Sequence, residues 1–430
     1  MKSGSKKAIK IIALVVISIA LICGFGYFYL VNKLKSALTG CNLVNDQFVE
    51  VVDFEYVNNW ILINVKVEGS NKVYPFIFDT GSTTIVSDSL INDLTKDDYK
   101  LFSSNNKNDT SNAFHNKLYI LNGLSIGNVK FKDVGSMSLD NKKWEMLNCV
   151  SPYGILGCNV LESCCFQIDY LNKKITITDQ VEKLSNYNAV KWIKYRTDKQ
   201  ETPIIQAVLN GNIDIDLFFD TGSSSGISLY SPSLYSQFAE KDSARIEKLT
   251  SIPSMYIRGE TQAPYKSLIY KASVFVIKGL EKTDDVNIII NNTAEKNFTG
   301  IIGNRYLNQY NITLDYKNKR IGIVLNNQPF KVEDYSFGFN YFVRNDKLYV
   351  GSIFENSEIE KEGICVGDEI MSINDVKISG LPQSVLCEIY RNEYRLWENE
   401  DSIINVCIKR DSIEVKMQLK KYNLFDSIIR

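Results

Sequence analysis

Hydrophobic and polar positions alternate along much of this chain, and one such pattern occurs twice. The first copy runs over residues 60–78 and ends at Asp79, and the second runs over residues 202–219 and ends at Asp220. In each copy two alternating segments flank a turn rich in Gly, Asn and Ser. This combination is typical of a β-hairpin. The sequence therefore predicts two hairpins, each leading into an aspartate.

A second stretch is also duplicated. Residues 154–177 align without a gap to residues 300–323, with ten identical positions among 24. Repetition of both pattern and identity indicates an internal duplication. We therefore predict a mainly β fold with two β-barrel lobes, lobe 1 over residues 45–180 and lobe 2 over residues 190–328. Residues 179–192 link them.

The duplicated pattern stops after Asn327, and a third pattern follows. It predicts strands near 339–343 and 347–353, a helix over 382–397, and paired strands at 402–409 and 412–420. Strands mixed with one long helical run indicate a separate α/β domain. We assign it to residues 334–422.

The N-terminal region departs from this globular character. Residues 11–31 contain 21 consecutive uncharged positions, preceded by four lysines. A helix of that length matches the hydrocarbon layer, and the lysines favour a cytoplasmic N-terminus. We predict a transmembrane signal anchor over 11–31, with residues 1–10 cytoplasmic, a linker over 32–44, and the remaining domains extracytoplasmic. A cleaved signal peptide and lipidation within Leu-Thr-Gly-Cys at 38–41 are the alternatives.

Composition and charge exclude several classes of function. The 430 residues carry a net charge of −1, with no basic face of the kind that nucleic-acid binding needs. The nine cysteines lack regular metal-ligand spacing, and the single histidine, His115, could serve at most one site. We therefore expect no metal, no cofactor and no nucleic-acid partner, and we expect the cysteines to be buried or disulfide-linked.

The chemistry is concentrated in two Asp-Thr-Gly-Ser motifs. If the duplicated lobes bring Asp79 and Asp220 together, the two like charges cannot both ionise, and the pair shares one proton. One carboxylate can then deprotonate a water while the other donates to a carbonyl oxygen. The surrounding residues suit this role, because glycine permits close approach and serine and threonine donate hydrogen bonds. These supporting residues are Thr80, Gly81, Ser82, Thr221, Gly222 and Ser223.

Over residues 45–328 the chain resembles the retropepsin and pepsin family of aspartic proteases, with both lobes in one chain. The resemblance rests on the two Asp-Thr-Gly motifs and on the apolar-apolar-Gly segments at 155–157 and 301–303. It implies a bilobal acid-protease fold and a catalytic dyad of Asp79 and Asp220, with no dimer required. A candidate flap lies at Met255 to Gly259, and the polar stretch from Ser103 to Asn112 predicts a mobile loop.

Residues 334–422 are similar to a PDZ domain of the kind attached to bacterial proteases. The resemblance rests on Ser336-Phe-Gly-Phe339 and on the run from Gly363 to Asn374. It implies that Phe337, Gly338 and Phe339 form a loop that receives the carboxylate of a C-terminal peptide, which would add as a strand beside a helix. A packing domain without a ligand is the alternative.

The sequence thus predicts a membrane-anchored aspartic endopeptidase whose substrate is a polypeptide. A second hypothesis is a catalytically inactive scaffold that recognises peptides through the PDZ-like domain. Phosphoryl transfer is a weaker third hypothesis, because the chain lacks a P-loop. Both Asp-Thr-Gly motifs are intact, which favours the peptidase.

Overall fold

The computed structural model describes most of the chain after residue 37 and little before it. The described residues are 26–29, 31–33, 38–103, 117–139, 147–184, 187–198, 200–241, 245–251, 263–295, 298–326, 334–398 and 400–425.

The described part of lobe 1, together with the segment just before it, contains eleven strands and three short helices. Its strands are β1 (Asn42–Leu43), β2 (Val49–Val57), β3 (Trp60–Val67), β4 (Val73–Phe78), β5 (Ile85–Ser87), β6 (Tyr99–Ser103), β7 (Leu118–Ile126), β8 (Val129–Leu139), β9 (Gly154–Leu156), β10 (Cys165–Asp169) and β11 (Lys174–Thr178). Its helices are α1 (Asp88–Asp93), α2 (Leu147–Val150) and α3 (Cys158–Leu161).

Lobe 2 repeats this arrangement. Its strands are β12 (Lys191–Lys194), β13 (Arg196–Thr197), β14 (Pro203–Leu209), β15 (Ile213–Phe219), β16 (Ile227–Tyr230), β17 (Ile246–Ser251), β18 (Tyr265–Ile277), β19 (Thr283–Asn291), β20 (Gly300–Ile302), β21 (Tyr310–Asp315) and β22 (Arg320–Leu325). Its helices are α4 (Pro232–Lys241) and α5 (Asn304–Leu307), and two 3-10 turns, Val181–Lys183 and Tyr187–Ala189, lie between the lobes.

The described residues from 334 onwards form a C-terminal module. Its strands are β23 (Tyr335–Ser336), β24 (Phe339–Arg344), β25 (Lys347–Phe354), β26 (Glu369–Ile373), β27 (Val376–Lys377), β28 (Ile403–Arg410), β29 (Ile413–Lys420) and β30 (Tyr422–Asn423), and its helices are α6 (Glu358–Lys361) and α7 (Gln383–Tyr390).

The predicted hairpins are confirmed, and their turns explain their register. Strands β3 and β4 pair antiparallel, as do β14 and β15. Asn210 and Gly211 both adopt positive φ, at 50° and 78°, between β14 and β15. A left-handed backbone conformation is least strained for Gly and Asn. These two residues therefore turn the chain between the two strands.

In each lobe the two apolar residues of the apolar-apolar-Gly segment belong to a short strand. It lies between the strand that leads into the Asp-Thr-Gly turn, called the active turn below, and the strand that follows this turn. Strand β9 pairs parallel with β4 and antiparallel with β5. Strand β20 pairs parallel with β15 and antiparallel with β16. The amides of Asp79 and Asp220 donate to the carbonyls of Leu156 and Ile302, both at 3.0 Å. Each aspartate is therefore held at the end of a strand that is hydrogen-bonded within its sheet.

The two lobes meet in a sheet whose strand order is β12-β22-β21-β10-β11-β2. Strands β10 and β21 are antiparallel, and Gln167 lies opposite Thr313, its own counterpart in the duplicated sequence. A pseudo-twofold axis therefore passes between these two residues. The side chains behind the sheet form one continuous apolar core that includes residues of both lobes.

The C-terminal module has its own core of apolar side chains, including Phe337, Leu348, Leu386 and Ile404. Its strands follow the predicted pattern, but its helix is shorter than the predicted 382–397. Helix α7 ends at Tyr390, and Asn392 then adopts a left-handed φ of 61°. Because a left-handed residue breaks the helical hydrogen-bond pattern, residues beyond 391 turn back over the module.

The module is joined to both lobes. Strand β25 pairs with β17 of lobe 2, so the lobe 2 sheet continues into the module. A disulfide joins Cys149 in α2 of lobe 1 to Cys387 in α7. The sequence could not identify this pair, since 238 residues separate the two cysteines.

Several predicted features fall outside the described residues. These are most of segment 11–31, His115, the Ser103–Asn112 loop apart from Ser103, and the candidate flap from Met255 to Gly259. Within segment 11–31, residues 26–29 and 31 are described and are helical. Among the described helices, none has the length and apolar character needed to cross a membrane.

The lipidation alternative at Cys41 can be compared with the contacts of that segment. The Gly40 carbonyl accepts hydrogen bonds from the Gly135 amide at 2.7 Å and from Asn159 Nδ2 at 3.3 Å. Cys41 packs against the apolar core, and burial raises the pKa of its thiol to about 11. These contacts disfavour lipidation, because a lipid-bearing Cys41 would have to leave them.

Candidate active site

The two predicted aspartates lie side by side where the lobes meet. Asp79 is 7% exposed and Asp220 is half-buried. Their carboxyl groups share a hydrogen bond. The duplication has therefore brought two identical side chains, 141 residues apart, into one site.

The two glycines after the aspartates allow this close approach. Gly81 N–H donates to Asp79 at 2.5 Å, and Gly222 N–H donates to Asp220 at 2.9 Å. Each glycine also lies against the aspartate of the other lobe, so that a Cβ on Gly81 would overlap Asp220 and a Cβ on Gly222 would overlap Asp79. Glycine is required at both positions because there is no space for a side chain.

The two threonines tie the active turns together across the lobes. Thr221 Oγ1 donates to the Phe78 carbonyl at 3.0 Å and accepts from the Thr80 amide at 3.1 Å. Thr80 Oγ1 makes the reciprocal bonds, donating to Phe219 O and accepting from the Thr221 amide. Both threonines are fully buried. These four bonds fix the relative positions of the two aspartates.

Thr221→Val is expected to destabilise the protein. The substitution keeps the shape of the side chain but leaves the Phe78 carbonyl and the Thr80 amide without this partner, at roughly 1–3 kcal/mol for each group. Thermal and denaturant unfolding would measure the loss. Thr83→Val is the matched control, since the buried Thr83 hydroxyl meets no hydrogen-bond partner among the described residues. An equal loss in both variants would contradict the role given to Thr221.

The two predicted serines differ in the structure. Ser82 Oγ donates to Asp79 Oδ2 at 2.7 Å. The Ser223 hydroxyl instead pairs with Ser225 Oγ at 2.7 Å. The sequence predicted a hydroxyl donor for each aspartate, and the additional serine at 225 gives Ser223 a different partner. The dyad is therefore asymmetric.

This asymmetry affects the pKa values of the two carboxyl groups differently. Burial raises the pKa of Asp79, while the Ser82 hydroxyl and the Gly81 amide oppose that rise by stabilising its charged form. Burial and the neighbouring charge of Asp79 raise the pKa of Asp220 well above its usual range. The donors to Asp79 therefore favour the charged form at Asp79 and the protonated form at Asp220.

Ser82→Ala is expected to move the acid limb of any pH–rate profile to higher pH. Without the hydroxyl donor the ionised form of Asp79 is less stable, so its pKa rises and the carboxylate is lost at a higher pH. Rates of peptide cleavage measured across pH would detect the change. Ser223→Ala is the matched control, and a profile that shifts equally in both variants would contradict the assignment.

Sequence reasoning missed two residues behind the dyad, Cys158 and Asn304. They occupy the same position of the repeat, directly after the apolar-apolar-Gly segments. Cys158 Sγ donates to the Thr80 carbonyl at 2.9 Å, and Asn304 Nδ2 donates to the Thr221 carbonyl at 2.6 Å. Burial raises the pKa of the Cys158 thiol, so it stays protonated and can donate. The common repeat position was the signal that could have identified them.

One tyrosine of each lobe extends to the other lobe. Tyr170 of lobe 1 donates through its hydroxyl to Asn304 Oδ1 at 2.7 Å. Its counterpart in lobe 2, Tyr316, lies with its hydroxyl beside the Cys158 thiol of lobe 1. Both tyrosine side chains are buried. Each active turn is therefore supported by a residue of the opposite lobe.

The predicted peptide-binding loop turns its two phenylalanine side chains into the core of the module. Phe337 and Phe339 are 5% and 3% exposed, and Gly338 between them adopts a φ of 91°. The ring of Trp397 contacts Phe337, Phe339 and Tyr341, with centroids 5.6, 6.2 and 5.7 Å apart. Both phenylalanine rings belong to the core of the module.

No ion-binding arrangement competes with the dyad in the described ranges. Within them, no group of three or more His, Cys, Asp or Glu side chains is placed to hold a metal ion. Cys149 is in the disulfide, while Cys158, Cys164 and Cys165 are buried thiols.

Comparison with known proteins identifies one family. A PDZ domain matches residues 311–390, from β21 of the inter-lobe sheet through α7 of the module. The chain therefore contains a PDZ domain, and the name is used below for the C-terminal module.

Among solved structures, the basic 7S globulin from soybean is similar at 10% identity and a TM-score of 0.37, with 64% of this chain and 94% of that chain covered. No curated protein matches the chain.

Proposed function

We propose that the chain is an aspartic endopeptidase anchored in a membrane by residues 11–31, with its lobes and PDZ domain on the extracytoplasmic side. The observation that carries the proposal is the pairing of Asp79 and Asp220, whose turns are held together by the reciprocal bonds of Thr80 and Thr221. An acid-protease fold explains why the repeat, the two turns and the inter-lobe sheet occur together.

The two carboxyl groups divide the chemistry of peptide hydrolysis. Asp79, as the carboxylate, takes a proton from a water that attacks the scissile carbonyl carbon. Asp220, as the acid, donates its proton to the carbonyl oxygen as the tetrahedral intermediate forms. When the C–N bond breaks, the proton on Asp79 passes to the leaving nitrogen and Asp220 regains its own. The dyad returns to its starting state with one proton.

The pair of carboxyl groups distinguishes the peptidase from the alternative hypothesis of a non-catalytic scaffold. A non-catalytic peptide-binding protein has no use for two adjacent carboxyl groups, since bringing like charges together costs stability.

The proposal is tested by incubating the full chain, in detergent, with a peptide library over a range of acidic to neutral pH. We expect cleavage that stops when a peptide analogue with a hydroxyethylene group replacing the scissile amide is added. Absence of cleavage at every pH, with no binding of the analogue, would favour the scaffold. The topology is tested separately by adding an external protease to intact cells, which should degrade the lobes without lysis.

A further inference from the structure

The peptide groove of the PDZ domain, the space between α7 and β24, has walls attached to different lobes. Helix α7 is tied to lobe 1 by the Cys149–Cys387 disulfide. At its end, the Tyr390 carbonyl accepts a hydrogen bond from Asn58 Nδ2 at 2.8 Å. The Tyr390 ring also packs on a lobe 1 apolar cluster that includes Trp60.

The opposite wall is attached to lobe 2. Strand β24 pairs with β25, and β25 pairs with β17, so Ile353 lies between Phe339 of the groove and Thr250 of lobe 2. The Glu355 amide continues the ladder by donating to the Lys248 carbonyl at 2.8 Å. Lys266 and Glu355 form an ion pair at 2.7 Å. One wall therefore follows lobe 1 and the other follows lobe 2.

The groove is bordered by a free strand edge. Within the described residues, β24 pairs only with β25, so its other edge can accept a further strand. Trp397, which follows α7, covers Phe337 and Phe339 at the end of the groove. A peptide that adds to β24 would lie between this strand and α7, next to this ring, and would therefore bear on both walls.

We propose that an extended peptide with a free C-terminal carboxylate, bound between α7 and β24, changes the separation of the two lobes and thereby the affinity of the catalytic cleft. The proposal rests on the proposed function for the identity of that cleft. Since the dyad lies where the lobes meet, a force that separates the groove walls acts on the same interface. Linkage requires the effect to be reciprocal, because a ligand of the cleft must change the affinity of the groove by the same factor.

The test measures binding of peptides that end in Val, Leu, Ile or Phe to the full chain, with and without a saturating hydroxyethylene analogue at the dyad. The same peptides with an amidated C-terminus serve as controls for carboxylate recognition. We expect the Kd of the free-carboxylate peptides to change by roughly 5-fold or more when the analogue is bound, and the Kd of the analogue to change equally when peptide is bound.

The disulfide provides the decisive variant. Replacing both Cys149 and Cys387 by Ser releases α7 from its covalent tie to lobe 1, so the coupling factor should fall towards one while both ligands still bind. Cys365→Ser, at an exposed thiol of the same domain, should leave the factor unchanged. A reductant should lower the coupling in the native chain and have no effect on the double variant. An unchanged factor after both treatments would overturn the proposal.

A second readout separates this proposal from the proposed function. Distance probes are introduced through non-natural side chains at exposed Lys132 of lobe 1 and Glu240 of lobe 2. Peptide binding that shifts this distance in a chain without peptidase activity would support the coupling and reject the peptidase. Peptide binding at a fixed distance in an active enzyme would reject the coupling alone. Failure of the peptides to bind either the native chain or Trp397→Ala would also reject it.

Discussion

Replacing Asp79 or Asp220 by Asn is expected to lower kcat/KM for peptide cleavage by at least about 10³-fold, because each substitution removes a group that transfers a proton in the reaction. An asparagine at position 79 could not accept a proton from water, and one at position 220 could not supply the acidic proton to the carbonyl oxygen. Initial rates with a peptide found by library screening would measure the loss. Cleavage at the native rate in either variant would reject the dyad.

The thermal stability of the Asp220→Asn variant shows whether loss of activity is due to misfolding. Since the folded chain holds the Asp220 proton to a higher pH than the unfolded chain does, the contribution of this carboxyl to stability is full below the unfolded pKa of about 3.9 and is lost as pH rises through the folded pKa. An asparagine side chain has no such proton. Asp220→Asn should therefore raise Tm near neutral pH and change it little at strongly acidic pH. A more stable but inactive variant would exclude misfolding as the cause.

Gly222→Ala is expected to reduce activity by at least about 10²-fold, the scale of effect that a misplacement of about 1 Å can have on a catalytic group. The new Cβ would overlap the Asp79 carboxylate, so either the carboxylate or the turn must move. Overpacking of this kind also costs about 1–3 kcal/mol. Cleavage rates and thermal unfolding would measure the two effects.

Gly226→Ala is the matched control for that substitution. Gly226 lies in the same loop after Asp220, but a Cβ built there meets no atom within 4 Å. We expect near-native activity and Tm. Equal loss of activity in both variants would show that the loop tolerates no substitution, and the specific role of Gly222 would be rejected.

The repeated pattern allowed much of the fold to be predicted. Alternation with a period of two and the Asn210-Gly211 turn are local signals, so the hairpins follow from them directly. The prediction of a long helix over 382–397 was wrong. The polar second half of this segment has helical spacing in the sequence, but the left-handed conformation of Asn392 prevents the helix from continuing. No local pattern distinguishes an Asn that continues a helix from one that adopts positive φ.

The site could be predicted only in part. The Asp-Thr-Gly motifs identify their residues by type and order, which is why Gly81 and Gly222 could be named in advance. The partner of Ser223 depends on the neighbouring Ser225, and the pairing of Cys149 with Cys387 depends on how a separate domain packs against lobe 1. Such choices are made by three-dimensional proximity, which sequence spacing does not encode.

Tyr170 and Tyr316 each contact a residue of the opposite lobe, so each lobe by itself lacks one of these contacts. A lobe 2 fragment produced alone would retain Asp220 but expose the Asn304 amide that Tyr170 now covers, and a lobe 1 fragment would lose Tyr316 beside Cys158. The two halves are no longer interchangeable either, since a thiol and an amide now stand at equivalent positions. Each half of the duplicated unit therefore relies on the other for a contact behind its own Asp-Thr-Gly turn.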